Sequence, residues 1–150
     1  LHVRSRRQRQ MCIRDSRWTG ARIVGYVGDE AVAERRYSDN PRLARLMVEV
    51  DDAVLYNDQV DETRVVCTFA DEYGNRLYHH PQVVSVSVEG DIELIGPPLI
   101  PSLGGCAAFW VRTRAGGTQG TACIHIHTPR PEIDDQTVTI RLEREDEKSF

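Results

Sequence analysis

Thr63-Arg64-Val65-Val66-Cys67-Thr68-Phe69-Ala70 is followed at once by Asp71-Glu72-Tyr73-Gly74-Asn75, and the same grammar repeats as far as Thr113. Val65, Cys67 and Phe69 alternate with Arg64, Val66 and Thr68. That is the period of two which puts successive side chains on opposite faces of a strand. Glu72-Tyr73-Gly74-Asn75 then turns the chain, with Gly74 free to take a positive φ. Downstream, Val84, Val86 and Val88 alternate with Val83, Ser85 and Ser87. Ile92–Ile95 is stopped by Gly96-Pro97-Pro98, and Gly104-Gly105 opens Cys106–Thr113. Short β-rich runs broken by Gly, Pro, Asn and Asp every ~8–12 residues predict strands stacked in two sheets.

Working outward, Leu43–Val50 alternates with Leu46, Val48 and Val50 on one face. Thr121–His127 and Gln136–Leu142 do the same, the latter with Val138, Ile140 and Leu142 inward. With Thr63–Ala70, Val83–Val88, Ile92–Ile95 and Cys106–Thr113 this makes about seven strands. The expected fold is all-β, an immunoglobulin-like antiparallel β-sandwich over residues 43–143. Val65, Phe69, Val86, Ile124, Ile126, Val138 and Ile140 should share one core between the sheets. Ahead of it, Ala21–Val27 and Ala31–Arg36 flank the turn signal Gly28-Asp29-Glu30 and predict a β-hairpin within residues 18–37. A lone hairpin is marginal in water, so this one is an orphan that lacks its own sheet. Residues 38–42, with Pro41 disfavouring helix at Asn40, read as a linker. The acidic tail 144–150 should fray. No window carries a helical period and no internal repeat is visible.

The run Arg6-Arg7-Gln8-Arg9-Gln10-Met11-Cys12-Ile13-Arg14-Asp15 resembles the translated adapter of transposase-based sequencing libraries. This implies that residues 1–17 are foreign and disordered, in a sequence assembled from environmental reads. The native readings of the run are a basic arm for nucleic acid or membrane, or an Arg-rich transit peptide. Five Arg and one Asp lie in residues 1–16. Setting that +4 segment aside changes the formal charge of −4 for the whole chain to −8. Such a balance argues against a nucleic-acid surface. No apolar run approaches the ~20 residues of a membrane-spanning helix, and no membrane partner is expected. No compartment is assigned.

The turns Leu94-Ile95-Gly96-Pro97 and Glu72-Tyr73-Gly74-Asn75, with the strand end Trp110-Val111-Arg112-Thr113, resemble the C-terminal immunoglobulin-like domain of glycoside hydrolase family 2 enzymes of the β-galactosidase type. Gly25-Tyr26-Val27-Gly28-Asp29 and Val32-Ala33-Glu34 resemble the last two strands of the domain before it. The resemblance covers Ala21 to about Leu142. It implies a non-catalytic sandwich of a longer enzyme that cleaves O-glycosyl bonds by double displacement. The domain would pack on other domains of that enzyme or make subunit contacts, with no cofactor. The other readings are a bacterial adhesin or invasin-like immunoglobulin repeat, and a carbohydrate-binding module. An adhesin array should repeat its own pattern, and one copy is present here. A binding module needs exposed aromatic side chains, and few are available.

Retaining glycosidases use two carboxylates about 5–5.5 Å apart. In the family that the chain resembles, one of them follows an Asn directly. No Asn-Glu dipeptide occurs in this sequence, so no catalytic residue is carried over. Asp51-Asp52, Asp71-Glu72 and Asp134-Asp135 read as solvated strand-end acids. His125 and His127, two apart on a strand and hence on one face, are the candidate metal ligands, with His79, His80 or an acid as third. A polar outer face opposite Ile124 and Ile126 explains them as well, and no metal is assigned. Trp110 is the candidate carbohydrate platform. It is set against packing in the fold or at a domain interface, with its indole N–H on a carbonyl. Outside the adapter-like run, Cys67, Cys106 and Cys123 form an odd set with no zinc spacing and read as reduced, packed thiols.

Overall fold

Period-two patterning carries through into the longer strands of the second unit. A computed structural model of the chain describes residues 20–39 and 45–144, in two units that divide the chain as Leu1–Asn40 and Pro41–Phe150. The expectation for residues 1–17 lies outside the described residues, as does most of the expected linker and all of the tail beyond Arg144.

In the first unit, β1 (Ala21–Val27) and β2 (Glu30–Tyr37) form an antiparallel hairpin. Val27 pairs with Glu30 across the two-residue turn Gly28-Asp29. Gly28 has φ +62, a value that glycine adopts without steric cost and that opens the tight hairpin turns. The register shifts between Gly25 and Tyr26, which leaves Val32 as the extra residue of a β-bulge. None of its described residues is buried, and Ile23, Tyr26, Val27 and Val32 are all exposed. A cross-strand pair, Arg22 with Glu34, binds the two strands, and Arg36 joins it from the same strand as Glu34. Glu34 accepts from Arg22 and from Arg36, each at 2.6 Å. Those two bonds hold its carboxyl down at about 2.

The second unit is the sandwich. One sheet holds four strands in the order β3 (Arg45–Val50), β5 (Glu62–Ala70), β9 (Cys106–Thr113), β7 (Ile92–Ile95). The other holds five, in the order β4 (Val54–Tyr56), β11 (Gln136–Glu143), β10 (Gly120–His127), β6 (Val83–Glu89), β8 (Leu99–Pro101). Among the described pairs all are antiparallel except β4 with β11, which is parallel. The seven expected strands are all present. β4 and β8 are additional, and each is a three-residue strand at an edge of the five-stranded sheet.

The two inner faces meet in one core that includes Val65, Cys67, Phe69, Phe109 and Val111 from one sheet and Val84, Val86, Ile124, Ile126 and Ile140 from the other. Of the seven residues expected there, six are buried, and Val138 packs against the cluster half-buried. The interdigitation fixes the register, because a slip of one residue would turn every one of these side chains to solvent. Cys67 is fully buried, and burial, with a smaller push from Cys106, raises its thiol to about 12.

The Asp71–Asn75 turn is built around a buried carboxylate. Asp71 Oδ1 accepts from the backbone N–H of Tyr73 at 3.0 Å and of Asn75 at 2.8 Å, and the Asn75 amide bonds both oxygens. Leading into β9, Gly105 sits at φ +75, and a Cβ there would lie 2.2 Å from the Leu77 carbonyl oxygen. Only glycine fits that approach.

Candidate functional site

Alternation along β9 sends Ala107, Phe109 and Val111 inward and Ala108, Trp110 and Arg112 outward. Trp110 therefore stands on the outer face of the four-stranded sheet, 44% exposed. Its direct cross-strand neighbours are Arg64 of β5 and Ile95 of β7. It lies outside the core, partly covered by the sheet, and its side chain makes no hydrogen bond among the described residues. The cation–π contacts among those residues are Arg35 over Tyr37 and Arg76 over Tyr78, so no cation covers the indole.

Two ion pairs flank it. Arg64 grips Asp51 through two nitrogens, at 3.0 and 3.3 Å. One row along, Arg112 lies between Glu62 and Glu93 in the register and donates through Nε to Glu93, with Arg114 3.9 Å from the same carboxylate. The sequence does not reveal these partners, because Asp51, Arg64, Glu93 and Trp110 meet only once the cross-strand register is set.

His125 and His127 share the outer face of β10, as expected, but each is engaged separately. His125 Nδ1 lies 3.2 Å from Thr137 Oγ1 on β11, and its Nε2 is 3.6 Å from Glu89 on β6. His127 Nδ1 is 2.6 Å from Asp135. Among the described residues no three His, Cys, Asp or Glu side chains are grouped to hold a metal ion. His79 and His80 lie in the loop between β5 and β6. The pKa of His80 is lowered, first by burial and then by Arg130, with Glu132 opposing. Its Nε2 is buried without a partner, which suits a neutral imidazole.

Of the acids expected to be solvated, Asp71 is instead buried, because its carboxylate is satisfied by its own turn, and Asp51 and Asp135 also have structural partners. Asp51 holds Arg64, Asp71 holds its own turn and Asp135 holds His127. Buried polar groups that the sequence does not flag include Asn57 and Thr113. Asn57 donates through Nδ2 to the Thr118 carbonyl at 2.6 Å, and its backbone bonds Glu143 and Gly116. The Thr113 hydroxyl accepts from Asp61 N at 2.9 Å and faces the carbonyls of Tyr56, Gln59 and Asp61. These two residues tie the ends of four strands together.

No family model matches the sequence. The chain is 30% identical over 103 residues to a β-galactosidase of Rhizobium radiobacter, a match that covers 69% of this chain and 73% of that one. It is 34% identical over 88 residues to a β-galactosidase of Thermoanaerobacterium thermosulfurigenes, covering 59% of this chain and 12% of that one. Among solved structures, a glycosyl hydrolase family 2 member from Bacteroides cellulosilyticus superposes with a TM-score of 0.67 at 15% identity, over 84% of this chain and 17% of that one. A β-glycosidase from Bacteroides vulgatus gives 0.63 at 13% identity, over 81% and 17%. At such identities these two superpositions speak for the fold.

Proposed function

Because the chain belongs to the β-galactosidases of glycoside hydrolase family 2, we propose that it is the non-catalytic C-terminal β-sandwich of such an enzyme, preceded by the closing hairpin of the domain before it. The observation that carries this reading is one of proportion. Relatives such as the Thermoanaerobacterium enzyme are about eight times longer than the stretch they share with this chain. The strand orders support the sandwich type. The order β3-β5-β9-β7 corresponds to the ABED sheet of immunoglobulin folds, and β11-β10-β6 to the GFC strands.

The role is architectural. The hairpin exposes apolar side chains on a two-stranded sheet, which suits a segment that completes a larger sheet. The parent enzyme would hydrolyse β-linked galactosides with carboxylates carried elsewhere. The test is a graft. Removing the matching 12% from the Thermoanaerobacterium enzyme should lower the temperature at which its activity survives, and replacing it with residues 43–143 of this chain should restore part of the loss. A truncated enzyme as heat-resistant as the intact one would contradict the architectural role.

A further inference from the structure

The face around Trp110 carries more than packing requires. We propose that it binds a neutral carbohydrate, with one sugar ring stacked on the indole and its hydroxyls bonded to the Arg64–Asp51 and Arg112–Glu93 pairs. The choice of galactosides as the first sugars to test rests on the family reading above. The stacking site rests on the face itself.

Three features converge. The indole is open, since it is 44% exposed, bonded to nothing among the described residues and covered by no cation. Aromatic faces of this kind accept the C–H face of a pyranose as apolar surface, while the free N–H remains a donor at the rim. Next, Ala108 precedes Trp110 on the same outer face, opposite half-buried Val66, so a low floor lies beside the ring. Last, the polar groups at the flanks are already fixed by pairing. A guanidinium has five N–H donors and a carboxylate four lone-pair sites, so each pair keeps spare capacity for hydroxyl groups. Sugars need such planar, oriented partners.

The charges also select the class of ligand. Asp51, Glu62 and Glu93 against Arg64, Arg112 and Arg114 sum to zero, and the chain as a whole is at −4. A polyanion gains nothing from such a surface. A protein partner would have to bury both ion pairs, and desolvating paired charges offsets most of what their attraction returns. A sugar leaves them partly hydrated and uses them as hydrogen-bond partners. The balance favours the sugar.

The experiment uses the full 150-residue chain. Lactose and a β-1,4-linked galacto-oligosaccharide are titrated by calorimetry and by saturation-transfer NMR, with cello-oligosaccharide and xylo-oligosaccharide as comparison sugars. Trp110→Ala, Trp110→Phe and Glu93→Gln are measured alongside, with thermal melting to verify that each folds. The expected result is saturable binding at millimolar concentration. Trp110→Ala should weaken it at least about tenfold, which is about 1.4 kcal/mol. Trp110→Phe should keep most of it, and Glu93→Gln should fall between. Because Trp18 and Trp110 are the two tryptophans, the fluorescence change on binding should vanish in Trp110→Phe even where binding survives. No binding of any of these sugars would overturn the proposal, and so would binding that Trp110→Ala leaves intact. Self-association that Trp110→Ala abolishes, with no sugar bound, would assign the face to a protein contact instead. None of these outcomes bears on the family, which rests on sequence identity, or on the graft, which reads heat resistance.

Discussion

Phe69 shows how much a single position decides. It is fully buried on β5, between β3 and β9, with the tilted imidazole of His80 6.0 Å from its ring. Phe69→Ala should cost about 3–5 kcal/mol in urea denaturation, the usual loss for emptying an aromatic site. A cost under about 1 kcal/mol would mean the ring is not in the core and the register is wrong. Cys67, two residues before it, has its thiol pushed up to about 12 by burial. Mass spectrometry after iodoacetamide treatment at pH 8 should therefore show Cys106 and Cys123 alkylated first, and Cys67 only after unfolding. Labelling of Cys67 in the folded chain at the same rate would contradict its burial. His80 shifts the other way. Its folded pKa lies below the ordinary 6.5, so the unfolded chain takes up the proton more readily. Stability from this group is present above that pH and is lost as pH falls through the ordinary histidine range. Stability curves between pH 7.5 and 5 should slope for the native chain and flatten for His80→Gln. Parallel curves would remove His80 as the cause. None of these environments is visible in a single residue's identity, but Phe69 and Cys67 are legible because both sit on the inward parity of Thr63–Ala70.

At the scale of elements, legibility follows length. In the sandwich, the longer strands display their parity, so the faces of β5, β9, β10 and β11 can be read from the residues alone. Those of β4 and β8 cannot, because three residues show no period. Pro101 also argues against a strand, and it is tolerated here because β8 is an edge that pairs with β6 alone. Register between strands is equally hidden in the sequence, and with it the pairs around Trp110 and the separate partners of His125 and His127. Asn57 reads as a surface turn residue because its partners Thr118 and Glu143 lie far along the chain. The hairpin holds a sharper test. Glu34 is depressed to about 2 by Arg22 and Arg36, so its pairing is complete above the ordinary carboxylate range and fades as pH falls toward about 2. An NMR titration of the Glu34 carboxyl should place its midpoint well below the ordinary carboxylate range, toward about 2. A midpoint within the ordinary carboxylate range would mean that the clasp does not form in solution.

For the whole molecule, a sandwich with its own core follows a hairpin with none, in a chain whose relatives are β-galactosidases. Asp51, Asp71 and Asp135 are taken up in ion pairs and a turn, and Trp110 stands on an outer sheet face. On the reading proposed above, the chain would support an enzyme whose double displacement uses two carboxylates about 5–5.5 Å apart carried elsewhere. The most direct measurement is the release of nitrophenol from a nitrophenyl β-galactoside by the purified chain. A supporting sandwich should release none above the uncatalysed background. Turnover that is abolished by changing one Asp or Glu within residues 45–144 would contradict that role.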